Sequence, residues 1–152
     1  MKIYLDTNII FGFFNKWILA KRKGTDFKEP EIIRFLKETK EIELFVSPLV
    51  KAEIGRRLRS EFSATESEAN EVWTLFLETL MIKELETAQI NDEIAEIAFK
   101  IPFRKRISNL MHLIICKQYD IWFLTGDKEI LTKGKKFYNK IISYVELRKR
   151  FS

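Results

Sequence analysis

Short, nearly unbroken apolar runs alternate along the chain with longer stretches in which apolar residues recur every three or four positions. "IYLDTN" predicts a first strand ending near Asp6, and "ELFVSP" predicts a second. "LMIKEL", "IWFLTGD" and "IISYVEL" predict a third, a fourth and a fifth. Strands that are apolar on successive residues bury both of their faces, as the strands of parallel sheets do.

Between them lie helical patterns. From about Asp26 to Lys40, Ile32, Phe35 and Leu36 fall at i, i+3, i+4 spacing. Ser47 and Pro48 supply an N-cap and a first helical residue for "LVKAEIGRRLRSEF". A long amphipathic helix is predicted over Thr65–Thr79, its buried face marked by Ala69, Val72, Trp73, Phe76 and, just beyond, Leu80. Asn91 or Asp92 starts another, with the stripe Ile94, Ile97, Ala98 and Ile101, and Pro102 ends it. "SNLMHLIICKQY" is apolar almost all round and predicts a deeply buried helix, and "KEILTKGKKFY" a short helix or turn. Alternating strands and helices imply an α/β fold, a parallel sheet covered by helices on both faces. With no repeat, linker or low-complexity tract, residues 1–152 read as a single domain.

Composition narrows the setting. The chain is 46% hydrophobic and 32% charged, ordinary values for a globular protein. Cys116 is the single cysteine, which excludes an internal disulfide and suits a reducing compartment. No apolar stretch approaches the roughly 20 residues that span a bilayer, and no signal-peptide pattern opens the chain, so a cytoplasmic location is expected. The net charge of +5 is carried in clusters: Lys21, Arg22 and Lys23; Arg104, Lys105 and Arg106; Lys133, Lys135 and Lys136; and Arg148, Lys149 and Arg150. A polyanionic partner and plain solvated lysine-rich faces are both compatible with that charge.

Parallel sheets collect ligands at the carboxyl ends of their strands, so acids there carry the candidate chemistry. Asp6 ends the first strand and Asp127 the fourth, while Glu53 lies in the helix after the second. Asn109 opens the buried helix before the fourth. Converging carboxylates repel one another unless a divalent cation neutralises them, and Mg²⁺ and Mn²⁺ favour such hard oxygen donors. Plainer readings stand beside this one. Asp6 and Asp127 could cap turns or helices, and Glu53 could pair with Arg57 at i+4 on the surface. His112 suits a satisfied core or rim histidine better than a ligand or general base. A phosphoryl-accepting aspartate is a rival enzyme class, but a haloacid-dehalogenase-type phosphatase needs a second aspartate where Asn8 stands.

"LDTNII", "SPLVKAEI", "SNLMHLIICKQYD" and "FLTGD" occur in the order and spacing of a PIN domain, and the chain resembles the single-domain toxin nucleases of VapC type from Ile3 to about Ile142. The resemblance implies a three-layer α/β/α sandwich with a five-stranded parallel sheet and Mg²⁺- or Mn²⁺-dependent ribonuclease activity. Position by position it makes Asp6, Glu53 and Asp127 the metal-binding acids, with Asn8 and Thr125 supporting them. It also implies RNA as substrate, a small antitoxin as partner and a homodimer. Phe11, Phe13, Phe14 and Trp17 are expected to offer an exposed apolar contact for such a partner or second copy, with Trp17 in a loop. The basic residues at 21–23 and 104–106 are expected to meet RNA phosphates.

The sequence departs from the family at the buried helix, where a pattern like "DAxHL" reads "NLMHL" and Asn109 replaces a carboxylate. Asn109 is read in three ways: as an amide ligand weaker than an acid that orients water at the metal, as the mark of a domain that binds RNA or protein without cutting, or as an engineered aspartate-to-asparagine change. Weaker metal affinity is expected in each.

Overall fold

Strand β1 (Lys2–Leu5) runs through the centre of the sheet, hydrogen-bonded to β2 (Glu43–Val46) on one side and β4 (Trp122–Leu124) on the other. Beyond them lie β3 (Lys83–Glu84) and β5 (Ile141–Ile142), giving the order β3-β2-β1-β4-β5 with every pairing parallel. The computed structural model describes residues 1–86, 93, 98–99 and 107–152. The helix expected from Asn91 or Asp92, with Ile94, Ile97 and Ile101, and the basic run at 104–106 lie outside the described residues.

Consecutive strand residues point to opposite faces, yet Ile3, Tyr4 and Leu5 are all fully buried, as are Phe123 and Leu124. Leu44, Phe45 and Val46, and Ile141 with Ile142, repeat the pattern. The sheet is therefore covered on both faces, which the near-continuous apolar runs predict. Among the described residues no helix is long and apolar enough to cross a membrane.

The main departure is α1 (Thr7–Lys23), a 17-residue helix that follows β1 directly. Phe11, Phe13 and Phe14, expected as an exposed contact surface, are buried in it instead. Phe13 and Phe14 pack against Phe76, and Phe14 stacks on Trp73, with centroids 4.9–6.0 Å apart. Trp17 lies in the same helix rather than in a loop, partly buried against the core, with Lys21 Nζ 4.9 Å above its ring. The physical reason is the helical recurrence of Ile10, Phe13, Phe14, Trp17 and Ile18, which buries one face and needs no capping side chain to declare it. Lys21, Arg22 and Lys23 form its last turn, where positive charge complements the helix dipole, and Gly24 ends it in the left-handed region at φ 64°.

Helix α2 (Glu31–Glu38) begins later than the spacing predicts, because Pro30 sits at its N-cap, and its buried residues are Ile33 and Leu36. Helix α3 (Pro48–Phe62) starts as expected, with Pro48 in its first turn. Helix α4 (Glu66–Leu80) is opened by Thr65 and Glu68 in a reciprocal capping box. Helix α5 (Ile107–Tyr119) buries Leu110 and the run His112–Cys116, packs on β4, and holds the free thiol of Cys116 in the core. Helix α6 (Lys128–Lys133) and a short 3₁₀ turn (Gly134–Lys136) form the predicted short helix or turn. The expected fifth strand is cut to two residues, since Ser143 and Glu146 form a second capping box that starts α7 (Tyr144–Phe151). Ser-x-x-Glu before an apolar residue is a helix-start signature, and it overrides the strand-like "YV".

Candidate functional site

Because the strands are parallel, the residues that follow β1, β2 and β4 emerge along one edge of the sheet. Leu5 registers with Leu124, and the Asp6 amide donates to the Leu124 carbonyl at 3.0 Å, so Asp6 and Thr125 become neighbours. Thr125 Oγ1 donates to Asp6 Oδ2 at 2.6 Å and accepts from the Asp127 amide at 3.0 Å. One wholly buried hydroxyl thus fixes both acidic residues relative to each other.

Asp6 and Asp127 are themselves buried, at 3% and 6% exposure. They occupy equivalent positions, each the residue before a helix, but use them differently. Asp127 Oδ1 caps α6 by accepting from the amides of Glu129 and Ile130 at 2.8 and 3.2 Å. Asp6 holds the N-cap position of α1, yet its side chain makes no capping bond. Burial pushes the Asp6 carboxyl above its ordinary pKa, partly countered by the Thr125 hydrogen bond; the nearby Glu53 and Asp127 push it further up. Among the described residues no lysine or arginine pairs with it.

Glu53 reaches the same edge from α3. Its Oε1 accepts from Thr7 Oγ1 at 3.2 Å and bonds His112 Nε2 from α5. Burial alone would raise its pKa, but the hydrogen bonds from His112 and Thr7 and the nearby charge of Arg56 favour the ionised form, and the net shift is downward. The surface pair with Arg57 does not form: Arg57 bonds Glu61 at 3.0 Å and lays its guanidinium 3.5 Å from the centre of the Phe11 ring. His112 is a satisfied core histidine, 1% exposed, with its other ring nitrogen 2.7 Å from the Tyr4 hydroxyl.

These side chains line a cleft of about 580 Å³. Asp6, Glu53, Asn109 and Asp127 share it with Asn8, Thr7, Ser108, Arg56, Arg57 and Glu61. Asn109 lies in the first turn of α5. Asn8 lines the cleft but makes no side-chain hydrogen bond to the acids among the described residues; Thr7 takes that part. Lys21–Lys23 are not brought here. Lys21 lies fourteen residues beyond Thr7, roughly 21 Å along the helix at 1.5 Å per residue, and bonds Glu71 on α4 at 2.8 Å. Arg56 was legible by its i+3 spacing from Glu53, which puts both on one helix face. Tyr4 offered no signal, because an aromatic residue in a buried strand reads as core.

The profile of the PIN domain family matches residues 3–136. The chain belongs to the PIN domain family. This PIN domain is similar in structure to VapBC2 from Rickettsia felis, solved bound to a DNA fragment from their promoter. That likeness has a TM-score of 0.63 at 14% identity and covers 94% of this chain and 98% of that one. A second solved structure, PAE2754 from Pyrobaculum aerophilum, aligns with a TM-score of 0.56 at 16% identity over 99% of this chain and 94% of that one. At these identities the likeness concerns the fold. No curated protein matches the chain.

PIN domains generally use divalent metals, and the donors here suit one. Asp6, Asp127 and Glu53 offer carboxylate oxygens and Asn109 an amide oxygen, all hard donors. Among the described residues no three His, Cys, Asp or Glu side chains stand together as a finished metal cage. Mg²⁺ does not require one, since it keeps several waters and takes one or two carboxylates plus substrate phosphate oxygens. A buried carboxylate that pairs with no lysine or arginine among the described residues, with two other acids nearby, is a place that a cation would stabilise.

Proposed function

We propose that this PIN domain, residues 1–152, is a metal-dependent endoribonuclease of the cytoplasm, the toxin of a toxin–antitoxin pair. The observation that carries the reading is Asp6. It is buried, does not cap its helix and pairs with no lysine or arginine among the described residues, yet Thr125 holds it in register with Asp127 beside a cleft lined by Arg56 and Arg57. A carboxylate kept at this cost and excused from structural duty is best explained by chemistry.

Asp6 and Asp127 would hold Mg²⁺ or Mn²⁺, with Glu53 as a further ligand or as the partner of the attacking water, and Asn109 orienting water. When bound, such an ion makes water easier to ionise and neutralises charge on the scissile phosphate. Arg56 has no ion pair among the described residues and is the cleft's available phosphate contact, while Arg57 is held by Glu61 and Phe11. A small antitoxin is proposed from the likeness to VapBC2, and a homodimer from the family resemblance, neither from an exposed aromatic patch.

Asn109 favours a second reading, a domain that binds RNA or protein without cleaving, because an amide carries no charge to attract a cation. Incubating RNA with the protein in Mn²⁺ and in chelator separates the two. Cleavage only with metal supports the ribonuclease, and metal-independent RNA binding without cleavage supports the binding module.

A further inference from the structure

Behind Glu53 a line of buried polar groups runs into the sheet. The Tyr4 hydroxyl lies 2.7 Å from Ser47 Oγ and 2.7 Å from His112 Nδ1. His112 Nε2 bonds Glu53 Oε1, which also accepts from Thr7. Tyr4, Ser47 and His112 are each no more than 1% exposed, so hydrogens misplaced among them would go unmatched in the dry interior. Ser47 holds the N-cap position of α3 but makes no side-chain cap, so its hydroxyl is committed to Tyr4.

Hydrogen counting gives the chain a direction. An ionised Glu53 only accepts, so His112 Nε2 must carry a proton. If Nδ1 carried one as well, Tyr4 would accept from the ring and donate to Ser47, and the Ser47 hydrogen would have no acceptor among the described residues. If Nδ1 is bare, Ser47 donates to Tyr4, Tyr4 donates to Nδ1, and Nε2–H donates to Glu53. Every hydrogen is then used.

We propose that Ser47, Tyr4 and His112 form a one-way hydrogen-bond relay that holds the Glu53 carboxylate in one orientation at the cleft. Glu53 is a long, partly exposed side chain with several rotatable bonds. The relay and Thr7 both engage Oε1, leaving Oε2 as the oxygen with work to do. Tyr4 and His112 are positioning residues and touch no substrate. The functional half of this inference rests on the ribonuclease reading, and its structural half does not.

His112 is the protein's one histidine, so its ring nitrogens can be followed without ambiguity by nitrogen-15 NMR of the full chain. At neutral pH the relay requires a proton on Nε2 and a bare, hydrogen-bonded Nδ1. Tyr4→Phe should move Nδ1 toward the shift of a nitrogen that accepts nothing. It should also lower kcat for RNA cleavage on the order of tenfold, the usual cost of losing an outer partner of a metal ligand, with KM unchanged. Ser47→Ala, which leaves the aromatic packing intact should Tyr4→Phe fail to fold, should move Nδ1 the same way by less. A proton on Nδ1 in the unmodified protein overturns the relay, as does a Ser47→Ala ring with unchanged shifts. Wild-type kcat in Tyr4→Phe, or a change in KM alone, overturns the positioning role. A protein that cleaves no RNA removes the ribonuclease reading and leaves the relay to be decided by the nitrogen shifts.

Discussion

Two sets of helix starts divide this molecule. Away from the cleft, Thr65 and Ser143 cap α4 and α7 in complete capping boxes, each closed by a glutamate three residues on. After the two central strands β1 and β2, Asp6 and Ser47 hold the same position and cap nothing. Their oxygens face sideways, Asp6 to Thr125 and Ser47 to Tyr4. Asp127 stands between the two sets, because one oxygen caps α6 while the residue also lines the cleft. A capping side chain is worth about 1 kcal/mol of stability. Its absence at two central helices marks where the fold gives up local stability for the arrangement of a site.

Asp127 belongs to both sets. Asp127→Ala should lose metal-dependent RNA cleavage and also about 1 kcal/mol of stability, the value of its cap, measured by cleavage assay and urea unfolding on one sample. A variant that loses cleavage at full stability would show that its cap carries no weight. Asn109→Asp sharpens the cleft side. Adding the missing negative charge should raise Mn²⁺ affinity by calorimetry and cleavage on the order of tenfold; equal rates for both forms would mean the position is irrelevant to catalysis. Thr65→Ala probes the outer set and should cost about 1 kcal/mol of stability with cleavage unaltered.

The smallest effect concerns Glu146. The Ser143 backbone and hydroxyl, with Lys135, hold its pKa down to about 2 from 4.5. A carboxyl lowered on folding adds stability that is complete above pH 4.5 and is lost as pH falls toward 2. The group is exposed, so solvent screening keeps the contribution small. Ser143→Ala should flatten the acid dependence of urea unfolding across that window, and an unchanged slope would remove the capping box from the account.

Sequence made the sheet and three corners of the cleft legible for one reason. In a parallel sheet every strand delivers its next residue to the same edge, so strand-end acids far apart in the chain must meet there. Glu53 followed from its place in the helix after β2. What could not be read depends on packing across the sheet. Helix α1 stayed hidden because β-branched and aromatic residues weaken its helical signal. Its phenylalanines then passed for surface. The same blindness covers Tyr4, whose hydroxyl matters only once His112 and Ser47 are placed beside it. The basic run at 21–23 shows the opposite failure, for proximity to a motif in sequence became roughly 21 Å along a helix in space.

Metal-dependent cleavage should depend above all on Asp6, the buried acid that caps nothing. Burial raises its pKa, so its charged form is disfavoured on folding, and the relief of that cost on removal offsets the loss of the Thr125 hydrogen bond. For Asp6→Ala, unfolding free energy and Mn²⁺-dependent RNA cleavage are measured together against the unmodified chain. Cleavage at background with stability equal or higher is the predicted result. Retained cleavage, or a loss of cleavage explained by a loss of fold, would contradict it.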